Sequence, residues 1–263
     1  MISLDKFAYI SGLKNVNHME KFVFSIGTMT VCLILNNVID SLIILFLMSY
    51  ITVAKGKVPF FTFVKFLSLP LSFLFIGVLT IAINVVGNSN DVLFSFRIFT
   101  IHLACTYESL SAAGVLFFKS IASVSCLYFL TLSTPVFEIL AVLKKLKVPR
   151  LFLELMGLVY RLIFVLLDTA NLIYISQSSR LGYSTLRIGY HSLGKLITSL
   201  FVSSYKRSLD MYTAMESRCY DGDINLLENN FTCSYKNIGA IICVELILIV
   251  IGSFEKIFGG IGL

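Results

Sequence analysis

The chain has 263 residues, of which 57% are hydrophobic and only 14% charged, and its mean hydropathy is +0.89. Soluble domains carry roughly 25% charged residues; 21 Lys and Arg with 15 Asp and Glu cannot cover the surface of a chain this long, so most apolar surface faces lipid. The composition excludes a soluble globular protein, and the net charge of +6 fits basic cytoplasmic loops of a membrane protein and not a nucleic-acid binder.

The first twenty residues hold Asp5, Lys6, Lys14, Asn15, Asn17, His18 and Glu20 and lack the basic start and apolar core of a cleavable signal, which predicts a cytoplasmic N-terminus. Two apolar runs, Phe22 to Leu35 and Ser41 to Ala54, flank the polar knot Asn36-Asn37-Val38-Ile39-Asp40 and predict a tight helical hairpin. Each run is shorter than the ~20 residues of a perpendicular span, so each must borrow flanking residues or thin the bilayer. Lys55-Gly56-Lys57-Val58-Pro59 is a basic, helix-breaking turn. Phe60 to Val86 is then a full-length span, with Lys65 near its inner end.

From Gly87 to Glu108 the pattern changes. Phe94 to Ile98 alternates at period two, and Arg97, His102 and Glu108 make an extracytoplasmic cap of short strands or a surface helix the reading in preference to a sixth span. Ser109 to Thr134 spans again and ends at Pro135; the lone Lys119 within it is expected to be satisfied by a neighbouring helix.

With the N-terminus inside, Lys6, Lys14, Lys21, Lys55, Lys57, Lys144, Lys145, Lys147 and Arg150 all fall inside, as the positive-inside rule requires. Leu151 to Ser176 has the hydropathy of a span, yet Arg180 and Arg187 follow it with no acid before His191. Basic at both ends, it is expected to lie along the inner face without crossing. Its Glu154, Arg161 and Asp168 recur every seven residues, about 10.5 Å per step, on one stripe. They are expected to form buried ion pairs with an adjacent helix. A second helix of this kind runs from about Leu193 to Cys219, with Lys206 and Asp210 spaced to pair and Gly222 as its expected terminator. The last span is Ile238 to Phe254.

The six cysteines, at 32, 105, 126, 219, 233 and 243, are scattered and read as small buried hydrophobes, neither a disulfide framework nor a metal cluster. His18, His102 and His191 are isolated, and no Walker A loop occurs, so any ATP is handled elsewhere. The domain organisation that follows is a membrane region over residues 1–134 with four spans, helices on the cytoplasmic face over 135–222, and a final span within 223–263. About five spans are expected in all.

Both long inner-face helices end in a Ser-Arg pair, Ser179-Arg180 followed by Leu181-Gly182 and Ser217-Arg218 followed by Cys219-Tyr220, 38 residues apart. A last-turn Arg can simply cap free carbonyls. Two equivalent cationic tips also suit docking on a two-fold partner, since guanidinium makes bidentate contacts with carboxylates.

These pairs, the opening Leu4-Asp5-Lys6-Phe7-Ala8-Tyr9, the junction Leu132-Ser133-Thr134-Pro135-Val136-Phe137-Glu138-Ile139-Leu140 and the stretch Ala214 to Gly222 together resemble the transmembrane T component of energy-coupling factor transporters, more closely its cobalt-type CbiQ branch. The resemblance covers nearly the whole chain. It implies a non-catalytic, multi-pass subunit of a prokaryotic cytoplasmic membrane that couples two cytoplasmic ABC ATPase subunits to a substrate-binding membrane S component, for cobalt or nickel uptake. It further implies that no cofactor or metal is bound directly and that ATP is used by the partner ATPases. The family signature is an Ala-Arg-Gly-like triplet at the end of each of two coupling helices. Carried over by position, it marks Arg180 and Arg218, with Ser179, Gly182, Ser217 and Ala214 around them, although this chain has Ser-Arg-Leu and Ser-Arg-Cys. By the same resemblance Pro135 to Lys147 is a short first coupling helix. The alternative reading is a membrane-embedded enzyme or a stand-alone secondary transporter, for which no catalytic constellation or inverted repeat is visible.

Overall fold

The computed structural model describes residues 3–14, 16–82, 84–85, 92–98, 101–221 and 235–259. The chain divides into two compact units, a spanning unit made of residues 2–139 and 230–263, and a two-helix unit made of residues 140–229. The spanning unit contains α1 (Ser3–Ile10), α2 (His18–Leu35), α3 (Val38–Tyr50) prolonged by a π-helical turn (Ile51–Lys55), α4 (Phe60–Ala82), α5 (Tyr107–Ser133) and α9 (Tyr235–Gly259). Between α4 and α5 lie strands β1 (Asn84–Val85), β2 (Val92–Ile98) and β3 (Ile101–Thr106). α6 (Val136–Lys145) runs from one unit into the other, and α7 (Arg150–Ser179) and α8 (Leu186–Glu216) make up most of the second.

Among the described residues, five helices are long and apolar enough to cross a membrane, over His18–Leu35, Val38–Lys55, Phe60–Ile81, Ser109–Ser133 and Tyr235–Ser253. The protein is therefore an all-α integral membrane protein, multi-pass, with α7 and α8 outside the spanning set. The two short runs of the hairpin do borrow residues: α2 starts at His18, α3 starts at Val38, and the π turn carries it to Lys55. The segment with period-two alternation folds as short strands, an antiparallel sheet of order β1-β3-β2 with an irregularity in register between Val92 and Phe94.

α5 is the axis of the spanning unit: α1, α2, α3 and α4 pack on it, and α9 closes against α2 and α3. Phe24, Cys32, Ile44, Met48, Ala122, Cys126, Phe129 and Leu248 form the core, with the Phe24 ring edge-on to Phe129 at 5.7 Å. Small residues let α2 approach α5 closely enough for Ser25 Oγ to donate to the Cys126 carbonyl at 2.8 Å. Pro70 inside α4 has no N–H, which strips the Phe66 carbonyl, four residues back, of its helical donor. The Tyr128 hydroxyl donates to that carbonyl at 3.0 Å, and the two rings stack at 6.3 Å, so a broken helical bond becomes an α4–α5 contact.

The hairpin turn is as tight as its polar knot predicts. Asn36 ends α2 in the left-handed region at φ 58°, where asparagine is tolerated, and Asn37 precedes α3 in extended backbone. Asn37 Nδ2 donates to the Gly252 carbonyl of α9 at 3.1 Å, and Lys119 of α5 donates to Asn36 Oδ1; the lone lysine of α5 is thus satisfied by its neighbour. A Cβ at Gly252 would stand 2.6 and 2.8 Å from the Leu35 methyls and would run into the buried Asp40 carboxylate, so only glycine lets α9 close on the hairpin.

The cysteines divide. Cys32 and Cys126 are buried thiols, whereas Cys219 and Cys243 are exposed. The expectation of uniformly buried cysteines fails at these two because one sits at a helix tip and the other on the outer side of a spanning helix. Cys233 and the Cys105 side chain lie outside the described residues.

Candidate docking site: two arginine-bearing helix tips

α7 and α8 form a helical hairpin tied at both of its ends. At the corner between them, Thr185 caps α8 by accepting the Ile188 N–H at 3.4 Å. Gln177 Nε2 donates to the Ser192 carbonyl at 3.1 Å, Tyr183 Oη donates to Gln177 Oε1 at 2.8 Å, and Ser192 Oγ donates to the Gly182 carbonyl at 2.7 Å. The Tyr174 and Tyr183 rings lie 4.9 Å apart. At the other end, Tyr220 Oη donates to Glu154 Oε2 at 2.9 Å, joining the end of α8 to the first turns of α7.

Arg180 and Arg218 lie at opposite ends of α8, which at 31 residues and 1.5 Å rise is about 46 Å long. The same backbone device ends both helices. After α7, the Leu181 N–H bonds the Ser178 carbonyl at 3.0 Å and the Gly182 N–H bonds the Gln177 carbonyl at 2.8 Å. After α8, the Cys219 N–H bonds the Glu216 carbonyl at 3.0 Å and the Tyr220 N–H bonds the Met215 carbonyl at 3.1 Å. These are the paired bonds of a Schellman closure, at identical offsets from the two arginines. Each needs a left-handed residue directly after its arginine; Leu181 at φ 57° and Cys219 at φ 57° supply it. Neither is glycine, so each carries roughly 1–2 kcal/mol of backbone cost that glycine would avoid. In the first motif the glycine stands one residue later, where a Cβ on Gly182 would lie 2.7 Å from the Gln177 carbonyl oxygen and 3.0 Å from Ser192 Oγ.

The structure places the other predicted residues around these tips. Ser179 Oγ donates to the Ile175 carbonyl at 2.9 Å and Ser217 Oγ donates to the Ala214 carbonyl at 3.0 Å. Both serines therefore bond back onto their own helices, and Ala214 contributes a backbone acceptor. Arg180 and Arg218 are exposed, and their guanidinium groups stay at the surface. α8 begins at Leu186, earlier than Leu193, because its polar opening Arg187, Tyr190 and His191 hides the start from hydropathy. It ends at Glu216, with left-handed Cys219 as terminator; Gly222 lies outside the described residues.

The charged stripe is not a buried one in this chain. Arg161 and Asp168 are exposed, and Glu154 is half-buried and engaged by Tyr220. α7 packs on α8 within its unit, and that packing leaves Arg161 and Asp168 exposed. Among the described residues, Lys206 and Asp210 are exposed with no ion pair between them, and no three His, Cys, Asp or Glu side chains converge as a metal site.

One polar cluster escapes sequence reasoning altogether. His18 Nδ1 lies 2.7 Å from Glu138 Oε2, and Lys21 Nζ lies 4.0 Å from the same oxygen while donating to the Ser133 carbonyl at 3.2 Å. Lys21 thus holds a free carbonyl at the end of α5, and Glu138 joins the foot of α2 to the first turn of α6. Burial pushes the Glu138 carboxyl above its ordinary range, and the Lys21 and Lys14 charges partly offset the rise. Asn237 Nδ2 adds α9 to this end of α2, donating to Glu20 Oε2 at 2.9 Å.

A family described as "Cobalt transport protein" (CbiQ) matches residues 11–228. A protein of Methanocaldococcus jannaschii is 31% identical over 97% of this chain and 94% of its own length. The cobalt transport protein CbiQ of Salmonella typhimurium is 28% identical over 86% of this chain and the whole of its own. The energy-coupling factor transporter transmembrane protein EcfT of Ruminiclostridium cellulolyticum is 31% identical over 74% of each chain.

Proposed function

The chain belongs to the cobalt transport protein family and is a transmembrane component of an energy-coupling factor transporter, and from that premise we propose that it couples ATP hydrolysis by two cytoplasmic ABC ATPase subunits to uptake of a divalent transition metal, cobalt. The observation that carries this reading is the repeated tip. Two arginines are held at the surface by the same hydrogen-bonded closure, at opposite ends of one helix. A rigid spacer about 46 Å long with a cation at each end suits two like subunits, each offering a carboxylate-lined groove.

In this mechanism ATP binding draws the ATPases together and hydrolysis lets them part, and Arg180 and Arg218 move with the subunits that hold them. The α7–α8 hairpin, tied at both ends, passes that motion on as a lever, tilting a membrane S component whose site then alternates between the two sides. Cargo recognition and ATP chemistry belong to the partners; this chain supplies geometry and charge. The positive-inside pattern of its basic residues supports tips on the cytoplasmic side, and the membrane in this reading is a prokaryotic cytoplasmic membrane.

The test is co-purification of the tagged chain, extracted in detergent, with ABC ATPases expressed from the same genome. The wild type is expected to retain an ATPase, and Arg180→Glu with Arg218→Glu to lose it while still inserting in the membrane. Recovery of ATPase by the double variant, or of none by the wild type, overturns the proposal.

A further inference from the structure

Away from the two tips, charge and apolar surface meet at the turn from α6 to α7. Its sequence, Lys144-Lys145-Leu146-Lys147-Val148-Pro149-Arg150-Leu151-Phe152, sets four cations among apolar residues, and no acidic residue stands between Glu138 and Glu154. The turn is fixed. The Lys147 N–H bonds the Lys144 carbonyl at 3.1 Å and the Val148 N–H bonds the Leu143 carbonyl at 3.3 Å, with Lys147 at φ 61°, so α6 closes by the same paired bonds as the two tips. Leu140 and Val142 of α6 are buried, and a Cβ on Gly157 of α7 would stand 3.8 Å from a Leu140 methyl. The cations of the turn stay exposed, and between them Leu146 is 51%, Leu151 70% and Phe152 57% exposed.

We infer that this turn is a binding surface for anionic phospholipid of the inner leaflet, its cations set on headgroup phosphates and Leu146, Leu151 and Phe152 among the first acyl carbons. α6 follows the spanning helix α5 after Thr134 and Pro135 alone, and its ten residues rise about 15 Å. The chain therefore tethers the turn close to the end of a span, where basic clusters meet the negative surface of the membrane. Three of the four cations are lysines, point charges that pair with phosphate without the fixed fork by which an arginine grips a carboxylate. Leucines and a phenylalanine exposed between them match the boundary of headgroup and hydrocarbon, which a purely acidic protein groove does not. The inference goes beyond ATPase coupling and needs only that the turn lies on the cytoplasmic side, where basic loops fall.

The chain contains no tryptophan, so Phe152→Trp gives the turn a single fluorophore. The full-length Phe152→Trp chain is reconstituted in phosphatidylcholine vesicles that carry a minor fraction of either phosphatidylglycerol or phosphatidylcholine brominated on the acyl chains. Quenching by the brominated phosphatidylglycerol is expected to be at least about threefold stronger, since one cation near an anionic surface is worth roughly a fivefold change in association. Adding Lys145→Gln and Lys147→Asn, the latter chosen because asparagine tolerates the left-handed region, should bring the two lipids to equal quenching. Raising the salt from 0.05 to 0.5 M should do the same with the charges in place, since exposed charges are screened, and this arm decides the matter even where the charge variant does not fold.

Equal quenching by the two lipids at low salt overturns the inference, as does a preference that neither salt nor the charge variant removes. Quenching that vanishes when a retained ABC ATPase is added assigns the turn to that subunit and also overturns it. So does a preference abolished by inorganic phosphate where chloride of equal ionic strength leaves it, which marks a site for a free anion. Arg180→Glu with Arg218→Glu should leave the lipid preference intact, so that failure of the coupling reading and failure of the present inference are read from different variants.

Discussion

In the spanning unit polar groups are turned onto one another: Lys119 on Asn36, Asn37 on Gly252, Tyr128 on the carbonyl that Pro70 frees, and His18 and Lys21 on Glu138. In the two-helix unit the polar side chains that bond locally do so to fix backbone, and the guanidinium groups of Arg180 and Arg218 stay exposed. The chemistry is the same and its use is opposite, internal where hydrogen bonds replace lost solvent, external where, in the proposed function, charge meets a partner. Substitutions in one unit should therefore cost stability, and in the other, binding.

The largest effect is expected at the tips taken singly. Arg180→Glu and Arg218→Glu each replace an attractive pair with a repulsive one, so each should weaken ATPase binding by about 2–5 kcal/mol, with the melting temperature unchanged because both side chains are exposed. Titration of the ATPase onto each variant measures the loss. A drop in melting temperature with binding preserved would erase the contrast between the units.

The converse is Gly252→Ala. Its Cβ meets Leu35 and Asp40, both buried, and overpacking of this kind costs about 1–3 kcal/mol. Thermal unfolding in detergent should show that loss, while ATPase affinity of the folded fraction holds. Next comes Glu138. A carboxyl whose folded pKa is raised binds its proton more readily folded than unfolded, so its contribution is fully present below the ordinary carboxylate value of 4.5 and is lost as pH rises through the higher folded value. Melting followed from pH 4 upward should show this loss in the wild type and a flatter profile in Glu138→Gln, whose amide does not titrate; parallel profiles would refute it.

How much of this was legible in the sequence follows from the range over which each feature is written. Spans are written locally, as apolar runs bounded by Asn36-Asn37, by Lys55 to Pro59 and by Pro135, so their number and order could be read directly. Alternation from Phe94 to Ile98 pointed to short strands or a surface helix without deciding between them, and a repeated Ser-Arg pair pointed to the tips. The His18–Glu138 pair joins residues 120 positions apart, and no pattern in a single chain connects an isolated histidine at the foot of one helix to a glutamate opening another. The Schellman closures were hidden for a different reason. Their usual marker is glycine in the left-handed position, and here leucine and cysteine stand in it, which is why Gly222 drew attention as a terminator and Cys219 did not.

The smallest effect separates the tips from each other. The corner at Arg180 is held by Gln177, Tyr183 and Ser192 together, whereas at the end near Arg218 Tyr220 ties α8 across the hairpin to Glu154. Tyr220 is partly solvated, so Tyr220→Phe should cost less than about 1 kcal/mol, below the value of a buried bond to a charged acceptor. Its mark is positional: faster amide exchange over residues 215–220, none over 177–184, and ATPase binding weakened about threefold. Glu154→Gln keeps an oxygen acceptor for the phenol and should stay near wild type in both measurements. If Tyr220→Phe instead loosens the Arg180 corner equally, the ties at the two ends of the hairpin act together and not independently; uniform exchange at both ends is the result that would require it.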